Sequence, residues 1–314
     1  MHTHVIVNAR AGGFRRHPGW IDRVREACGS EAVMHVTRTL GELRQAVEAA
    51  REGAADMVAL CGGDGSHMAG ATCLADAFAQ QNMPALCLAG GGNAGTVARN
   101  WNRRSLEPEQ HVRAAIRVCR ERGMVPFLRR PSLRVVDATG TSRVGFIFGT
   151  GLVAAFFREF YAAGGGGYPR AGRMVARIFA GSFVGGPLAR KVLSPMACRL
   201  TVDGRLHPNT AFTLIASSVV RDLGMHLLVT HRACEDPLRP HLVASRIGVR
   251  ECGRQFWRIL AGRGLVGEGN VDGLASEFRV EFPAGTGAYV LDGDLIDSDR
   301  VDVRAGPELR IVAV

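Results

Sequence analysis

Short apolar runs recur through the first third of the chain, at His4–Val7, Val33–Val36, Met57–Cys61 and Ala85–Ala89. Between them the apolar positions take helical spacing, as in Trp20/Ile21/Val24 and Leu40/Leu43/Val47. Strand-like runs alternating with amphipathic helices predict a parallel sheet covered on both faces. Two further helices are expected at Thr96–Trp101 and Pro108–Arg122, the second opening on Pro-Glu and ending at Gly123. Beyond Pro131 the pattern changes to alternating or all-apolar runs at Leu133–Asp137, Arg143–Phe148, Met196–Val202, Ala211–Ser217, Phe278–Phe282, Ala288–Leu291 and Leu309–Val314. These read as antiparallel strands, interrupted by helical segments at Leu152–Tyr161, Arg170–Phe183 and Cys252–Leu260. The expected fold is an α/β amino-terminal domain with a parallel sheet, residues 1–128, and a β-rich, sandwich-like α+β domain, residues 129–314, whose last strand can return to the first domain.

Composition agrees with an ordered globular body. The chain has 314 residues, 46% apolar and 22% charged, enough for two domains that meet at a cleft. The net charge is +10, and Lys191 is the only lysine, so the excess is almost all arginine. Arginine suits bidentate phosphate binding, and a mechanism built on a phosphate-loop lysine is excluded. The eight cysteines include no C-x-x-C pair and read as reduced core residues; the ten histidines are scattered, without zinc-site spacing. No window reaches the length of a membrane span, so the expected location is the cytoplasm, with peripheral membrane contact.

The chemistry concentrates in two glycine clusters, each after a strand and before a helix, where open parallel sheets bind ligands. The first is Gly62-Gly63-Asp64-Gly65-Ser66. Its glycines let the backbone approach a phosphate, the helix beginning near Ser66 offers free N–H groups, and Asp64 can hold Mg²⁺ directly or through water. The competing reading is a tight turn with aspartate as helix cap. The second cluster, Gly90-Gly91-Gly92-Asn93-Ala94-Gly95-Thr96, contains G-x-G-x-x-G, but it follows the fourth strand and lacks a ribose-binding acid about twenty residues on. A dinucleotide site is not the reading.

The ordered series of motifs resembles the diacylglycerol kinase catalytic domain family, which includes bacterial lipid kinases and sphingosine kinases. Asn8 and Gly12 fall on its opening N-P-x-S-G, Gly62–Ser66 on G-G-D-G-T, Gly92–Ala98 on G-T-x-N-D-x-A and Asp292-Gly293-Asp294 on D-G-E. The resemblance implies an NAD kinase/diacylglycerol kinase-like fold and an ATP-dependent lipid kinase that phosphorylates diacylglycerol or a related lipid, a sphingoid base included. It implies ATP and Mg²⁺, a nucleotide site of Asn8, Gly12, Gly62, Gly63, Asp64, Gly65, Ser66, Gly91, Gly92 and Asn93, metal at Asp64, and catalytic acids Asp292 and Asp294. The partners expected are a lipid and, peripherally, an anionic membrane, with no nucleic acid; a homodimer is compatible. The second cluster departs from the family, with Asn93, Gly95 and Thr96 in place of Thr, Asn and Asp, and Met68-Ala69 replaces Asn-Glu. The alternative is a catalytically weak lipid- or nucleotide-binding protein of the same fold.

Asp203-Gly204 reads as a hairpin turn, Asp272-Gly273 as a loop, and Asp292-Gly293 as either a turn or a functional acid pair, with the resemblance favouring function and Asp292 as the general base. Asp294, two residues on, is expected on the same side of the strand. Arg170, Arg173 and Arg177 interleave with Met174, Ile178, Phe179 and Phe183 near Gly164–Gly167. The stripe fits an anionic lipid surface or a helix packing its apolar residues into the core.

Overall fold

The computed structural model describes residues 1–79, 82–92, 95–102 and 106–314. The apolar runs of the first third become strands of a first unit, Met1–Arg130 with Pro307–Val314. Its strands are β1 (Thr3–Asn8), β2 (Val33–Thr37), β3 (Met57–Gly62), β4 (Ala85–Gly90) and β5 (Leu128–Arg130), joined by the chain's last strand, β20 (Leu309–Ile311). Its helices are α1 (Gly12–Arg16), α2 (Trp20–Cys28), α3 (Leu40–Glu52), α4 (Asp64–Ala77), α5 (Thr96–Trp101) and α6 (Pro108–Arg122). One sheet of order β2-β1-β3-β4-β20-β5 is parallel from β2 through β20, with β5 antiparallel at its edge. Every residue of β3 is buried, which is why that run carries no polar alternation. Helix α6 begins and ends where its sequence directs: Glu107 and Gln110 form a reciprocal cap, Pro108 occupies the first turn, and Gly123 closes the helix at φ 65°.

The second unit, Pro131–Gly306, holds β6 (Leu133–Asp137), β7 (Ser142–Gly145), β8 (Ile147–Gly151), β9 (Met196–Ala197), β10 (Arg199–Val202), β11 (Arg205–Leu206), β12 (Ala211–Phe212), β13 (Leu214–Ser218), β14 (His241–Ser245), β15 (Val271–Leu274), β16 (Glu277–Glu281), β17 (Ala288–Leu291), β18 (Asp294–Asp297) and β19 (Arg300–Ala305). Its helices are α7 (Leu152–Ala162), α8 (Tyr168–Val184), α9 (Pro187–Val192) and α10 (Val249–Leu260). The strands form two antiparallel six-stranded sheets, β11-β10-β16-β19-β6-β7 and β15-β14-β13-β8-β17-β18, with β12-β9 as a separate pair. Phe148 of the second sheet meets Phe278 of the first edge-on, with ring centroids 5.5 Å apart, and stacks on Tyr289 at 5.7 Å. These rings are buried and join the two sheets as a sandwich core.

Three runs that read as single strands are broken. Arg143–Phe148 divides at Phe146, because β7 pairs in one sheet and β8 in the other. The chain changes sheets there, and Gly145 permits the bend: a Cβ on it would lie 2.4 Å from Leu291 Cδ1. Met196–Val202 and Ala211–Ser217 divide in the same way, each giving its first residues to the β12-β9 pair. Asp272-Gly273 lies on β15 and not in a loop.

The last strand gives a test of the first unit. Leu309, Ile311 and Val312 are fully buried, so Ile311→Ala should lower stability by about 2–5 kcal/mol in urea unfolding, as cavity-forming changes do. Val33→Ala on the exposed edge of β2 should change it by less than about 0.5 kcal/mol. Equal midpoints for the two variants would mean that β20 adds nothing to the sheet.

Candidate functional site

Three loops meet at the carboxyl ends of β1, β3 and β4, and backbone approaches backbone there because the contacting residues are glycines. A Cβ on Gly92 would lie 2.2 Å from the Cα of Gly63, and one on Gly91 would lie 2.4 Å from the Phe14 ring. A Cβ on Gly62 would lie 2.4 Å from that of Ser66. The opening motif joins the same knot one residue later than expected. Gly12 starts α1, but Gly13 makes the contact, its N–H donating to Gly91 O at 2.9 Å. Asn8 Nδ2 donates to Ser66 Oγ at 2.9 Å, and Asn8 Oδ1 accepts from the Arg10 N–H, so β1 is tied to the first turn of α4. Of the residues singled out in sequence, Asn8, Gly12, Gly62, Gly63, Asp64, Gly65, Ser66, Gly91 and Gly92 thus lie on these loops. Asn93 lies outside the described residues.

Asp64 is the first residue of α4, and its carboxylate serves another helix. Oδ2 accepts from the Thr96 N–H at 2.9 Å and Oδ1 from the Val97 N–H at 3.0 Å, so one side chain caps the start of α5. Among the described residues no side chain caps α4 itself, whose preceding residue is Gly63. Its first N–H groups are therefore left for a ligand or water. A carboxylate oxygen accepts more than one hydrogen bond, so Asp64 keeps capacity for a cation or its water. Arg10, exposed beside this loop, makes no ion pair among the described residues.

His67 was not distinguished by sequence. It is fully buried, and Nε2 lies 3.2 Å from both Leu60 O and Ala89 O. The ring carries its proton on Nε2 to serve these acceptors, and so fastens α4 to the ends of β3 and β4. Burial lowers its pKa, against the pull of the Asp64 charge, and keeps the ring neutral. The only sequence signal was its place three residues after Asp64, one helical turn inward.

The carboxyl-terminal motif in the second unit has a different character. Asp292-Gly293 is the two-residue turn between β17 and β18, with Leu291 opposite Asp294 and φ of 50° and 93° at the two turn residues. Asp292 is buried. Its Oδ2 accepts from the Phe146 N–H at 3.0 Å and its Oδ1 from the Ile147 N–H at 2.9 Å, so the carboxylate anchors the hairpin to the corner where β7 gives way to β8. The undisputed turn residue Asp203 does the same on the surface, accepting from the N–H groups of Ser276 and Glu277.

Asp294 opens β18 and does not share a side with Asp292, because the rule for alternate residues holds along a strand and not across a turn. It is exposed. The protein packed beneath it nevertheless raises its pKa above the ordinary aspartate value, with Arg143 pulling the other way. Arg143 itself is held by Asp137 at 2.7 Å and the Tyr289 hydroxyl at 3.1 Å. Tyr161, at the end of α7, donates to Gly293 O at 2.6 Å. Burial and the Asp294 charge raise the Tyr161 pKa. Neither Arg143 nor Tyr161 was marked in sequence, since their roles exist only once the hairpin is built.

Helix α8 packs Met174, Ile178 and Phe179 into a small core with α7, α9 and α10, while Arg170, Arg173 and Arg177 are exposed. Phe183 does not join them and stays 56% exposed. No helix among the described residues is long and apolar enough to cross a membrane.

Residues 2–125 match the family model of the diacylglycerol kinase catalytic domain. No curated protein matches the sequence. Among solved structures, a diacylglycerol kinase from Bacillus anthracis is 14% identical, with TM-score 0.67 over 100% of this chain and 97% of its own. An NAD kinase from Archaeoglobus fulgidus in complex with ATP is 12% identical, with TM-score 0.50 over 99% and 93%. At these identities the likeness is one of fold. The segment that matches the family model contains the loops at the ends of β1, β3 and β4 described above. Residues 2–125 are therefore similar to the diacylglycerol kinase catalytic domain, in a chain whose fold is that of the diacylglycerol and NAD kinases.

Proposed function

We propose that the protein transfers the terminal phosphoryl group of ATP to a hydroxyl of diacylglycerol or a related lipid, a sphingoid base included. The observation that carries this reading is the knot of glycine loops, where the amides at the start of α4, uncapped by any side chain among the described residues, meet backbone too closely packed to admit side chains. Phosphoryl transfer asks a protein mostly for position and charge. The loop amides and Arg10 supply positive character, and no lysine is required. Mg²⁺ fits this donor set, because it is commonly held by one or two carboxylates with substrate phosphates and water; Asp64 would hold it, and it would neutralise phosphate charge.

For the second acid we assign roles by what each carboxylate has free. Asp292 is buried, with each oxygen on a backbone amide, and positions the hairpin. Asp294 is exposed, and the protein packed beneath it raises its pKa above the ordinary aspartate value, which makes it the more basic carboxylate a proton acceptor needs. The lipid oxygen forms its bond to the γ-phosphorus, the bond from that phosphorus to the ADP oxygen breaks, and the hydroxyl proton passes to Asp294. A binding protein without turnover is the competing reading. It rests on the Asp64 carboxylate being already engaged with α5.

Incubation with labelled ATP and dispersed diacylglycerol or sphingoid base should put label on the lipid, and tight ATP binding without any labelled lipid would favour the binding protein. Asp294→Asn should lower the rate about 10²–10⁴-fold with ATP affinity unchanged. Asp292→Asn instead puts an N–H against an N–H and should cost about 1–3 kcal/mol of stability, with activity following the folded fraction. The reverse ranking, full stability and lost turnover in Asp292→Asn, would return the base to Asp292.

The pH profile follows from the same acid. Only the ionised form accepts a proton, so the rate should fall as pH drops through a pKa above that of an ordinary aspartate. Removing the neighbouring positive charge in Arg143→Gln makes ionisation harder and should move that limb to higher pH. A limb unmoved by this change would exclude Asp294 as its source.

The loops make a last forecast. Gly92→Ala forces them apart and should cost about 1–3 kcal/mol together with ATP affinity. Gly90→Ala, whose Cβ would meet nothing nearer than Leu106 O at 3.8 Å, should leave ATP affinity unchanged. Equal ATP affinity in calorimetry for the two variants would show that nucleotide binds elsewhere.

A further inference from the structure

We propose that His231, His241 and Asp272 form a binding site for a divalent transition-metal ion of the zinc class, independent of the phosphate loops. The sheet brings two of the three together. Asp272 on β15 stands opposite Val243, and His241 on β14 stands opposite Leu274. Residues two apart on a strand share a face, so the imidazole and the carboxylate meet diagonally, with His241 Nε2 2.7 Å from Asp272 Oδ1. His231 enters from the segment between β13 and β14, its ring perpendicular to that of His241 with centroids 5.0 Å apart. One ligand atom from each of the three lies within 4.8 Å of the others.

Two observations point to a ligand rather than to a hydrogen-bonded cluster alone. His231 Nδ1 is buried and has no hydrogen-bond partner among the described residues. Buried polar nitrogens are seldom left so, and a metal would satisfy it. The chain is also bare beside the carboxylate: a Cβ on Gly264 would lie 2.2 Å from Asp272 Oδ2 and 3.8 Å from His231 Cε1. Any larger residue would push into the cluster.

The donor set selects the metal. Two imidazoles and one carboxylate suit zinc, nickel, copper or ferrous iron, whereas Mg²⁺ and Ca²⁺ prefer oxygen throughout. Three protein ligands leave a further position for water or another small ligand. Uptake at His241 Nε2 moves the ring proton to Nδ1. That gives up only a long contact, 3.4 Å, with the Arg232 N–H.

The test is zinc binding by the full chain after chelator treatment, measured in competition with a chromophoric chelator. One zinc per chain is expected, falling about 10-fold or more in affinity in His231→Ala and Asp272→Asn, with the changed variants checked for folding by circular dichroism. Cobalt in place of zinc should give visible bands of four- or five-coordinate metal with no strong sulfur charge transfer. Absence of stoichiometric zinc, or equal affinity in folded His231→Ala and parent, would overturn the site. So would cobalt–thiolate bands that vanish in Cys234→Ser, since that cysteine is exposed.

Discussion

Where a chain turns sharply, consecutive backbone N–H groups lose their ladder or helix partners, and an acceptor must be found for them. In this protein the acceptor is repeatedly an aspartate carboxylate on two adjacent amides. Asp64 takes Thr96 and Val97, and Asp292 takes Phe146 and Ile147. Each joins segments distant in sequence, so each fixes a piece of tertiary structure and not merely a local turn. Without Asp64, α5 starts with exposed amides and nothing sets its direction relative to α4. Without Asp292, the corner between β7 and β8 has two unsatisfied amides in a buried place.

The glycine contacts convert that anchoring into a stiff site. Gly92 rests on Gly63 and Gly91 on Phe14, while Gly13 donates to Gly91 O. Loops that touch backbone to backbone have few alternative packings, because the only way to move one is to move its neighbour. Under the proposed function, such a site would be organised before a phosphate arrives, and binding would lose little to ordering. His67 extends the same lock inward by reaching the last carbonyls of β3 and β4 with one nitrogen.

Sequence disclosed β3 and β4 because burial on both faces leaves no polar residue in them, and it disclosed α6 through Pro108 and Gly123. It disclosed the glycine loops because glycine is required where backbones touch. It blurred the second unit, where apolar runs such as Arg143–Phe148 continue through a change of sheet; a buried strand looks the same whichever partner it pairs with. Histidine partnerships were hidden for a similar reason. His231, His241 and Asp272 have no regular spacing, and only the pairing of β14 with β15 makes two of them neighbours.

The two acids of Asp292-Gly293-Asp294 show why a motif does not state which of its residues does chemistry. A carboxylate that fixes geometry works best when its lone pairs are committed, and one that receives a proton needs a lone pair that is not. Here the two demands fall on different side chains. The turn places Asp292 at positive φ and facing inward to the sheet corner, while Asp294 lies beyond the reversal, exposed and beside Arg143. Under the proposed function, the hairpin thus divides anchor from base. Asp203-Gly204, with the same turn and no second acid, has the anchor alone.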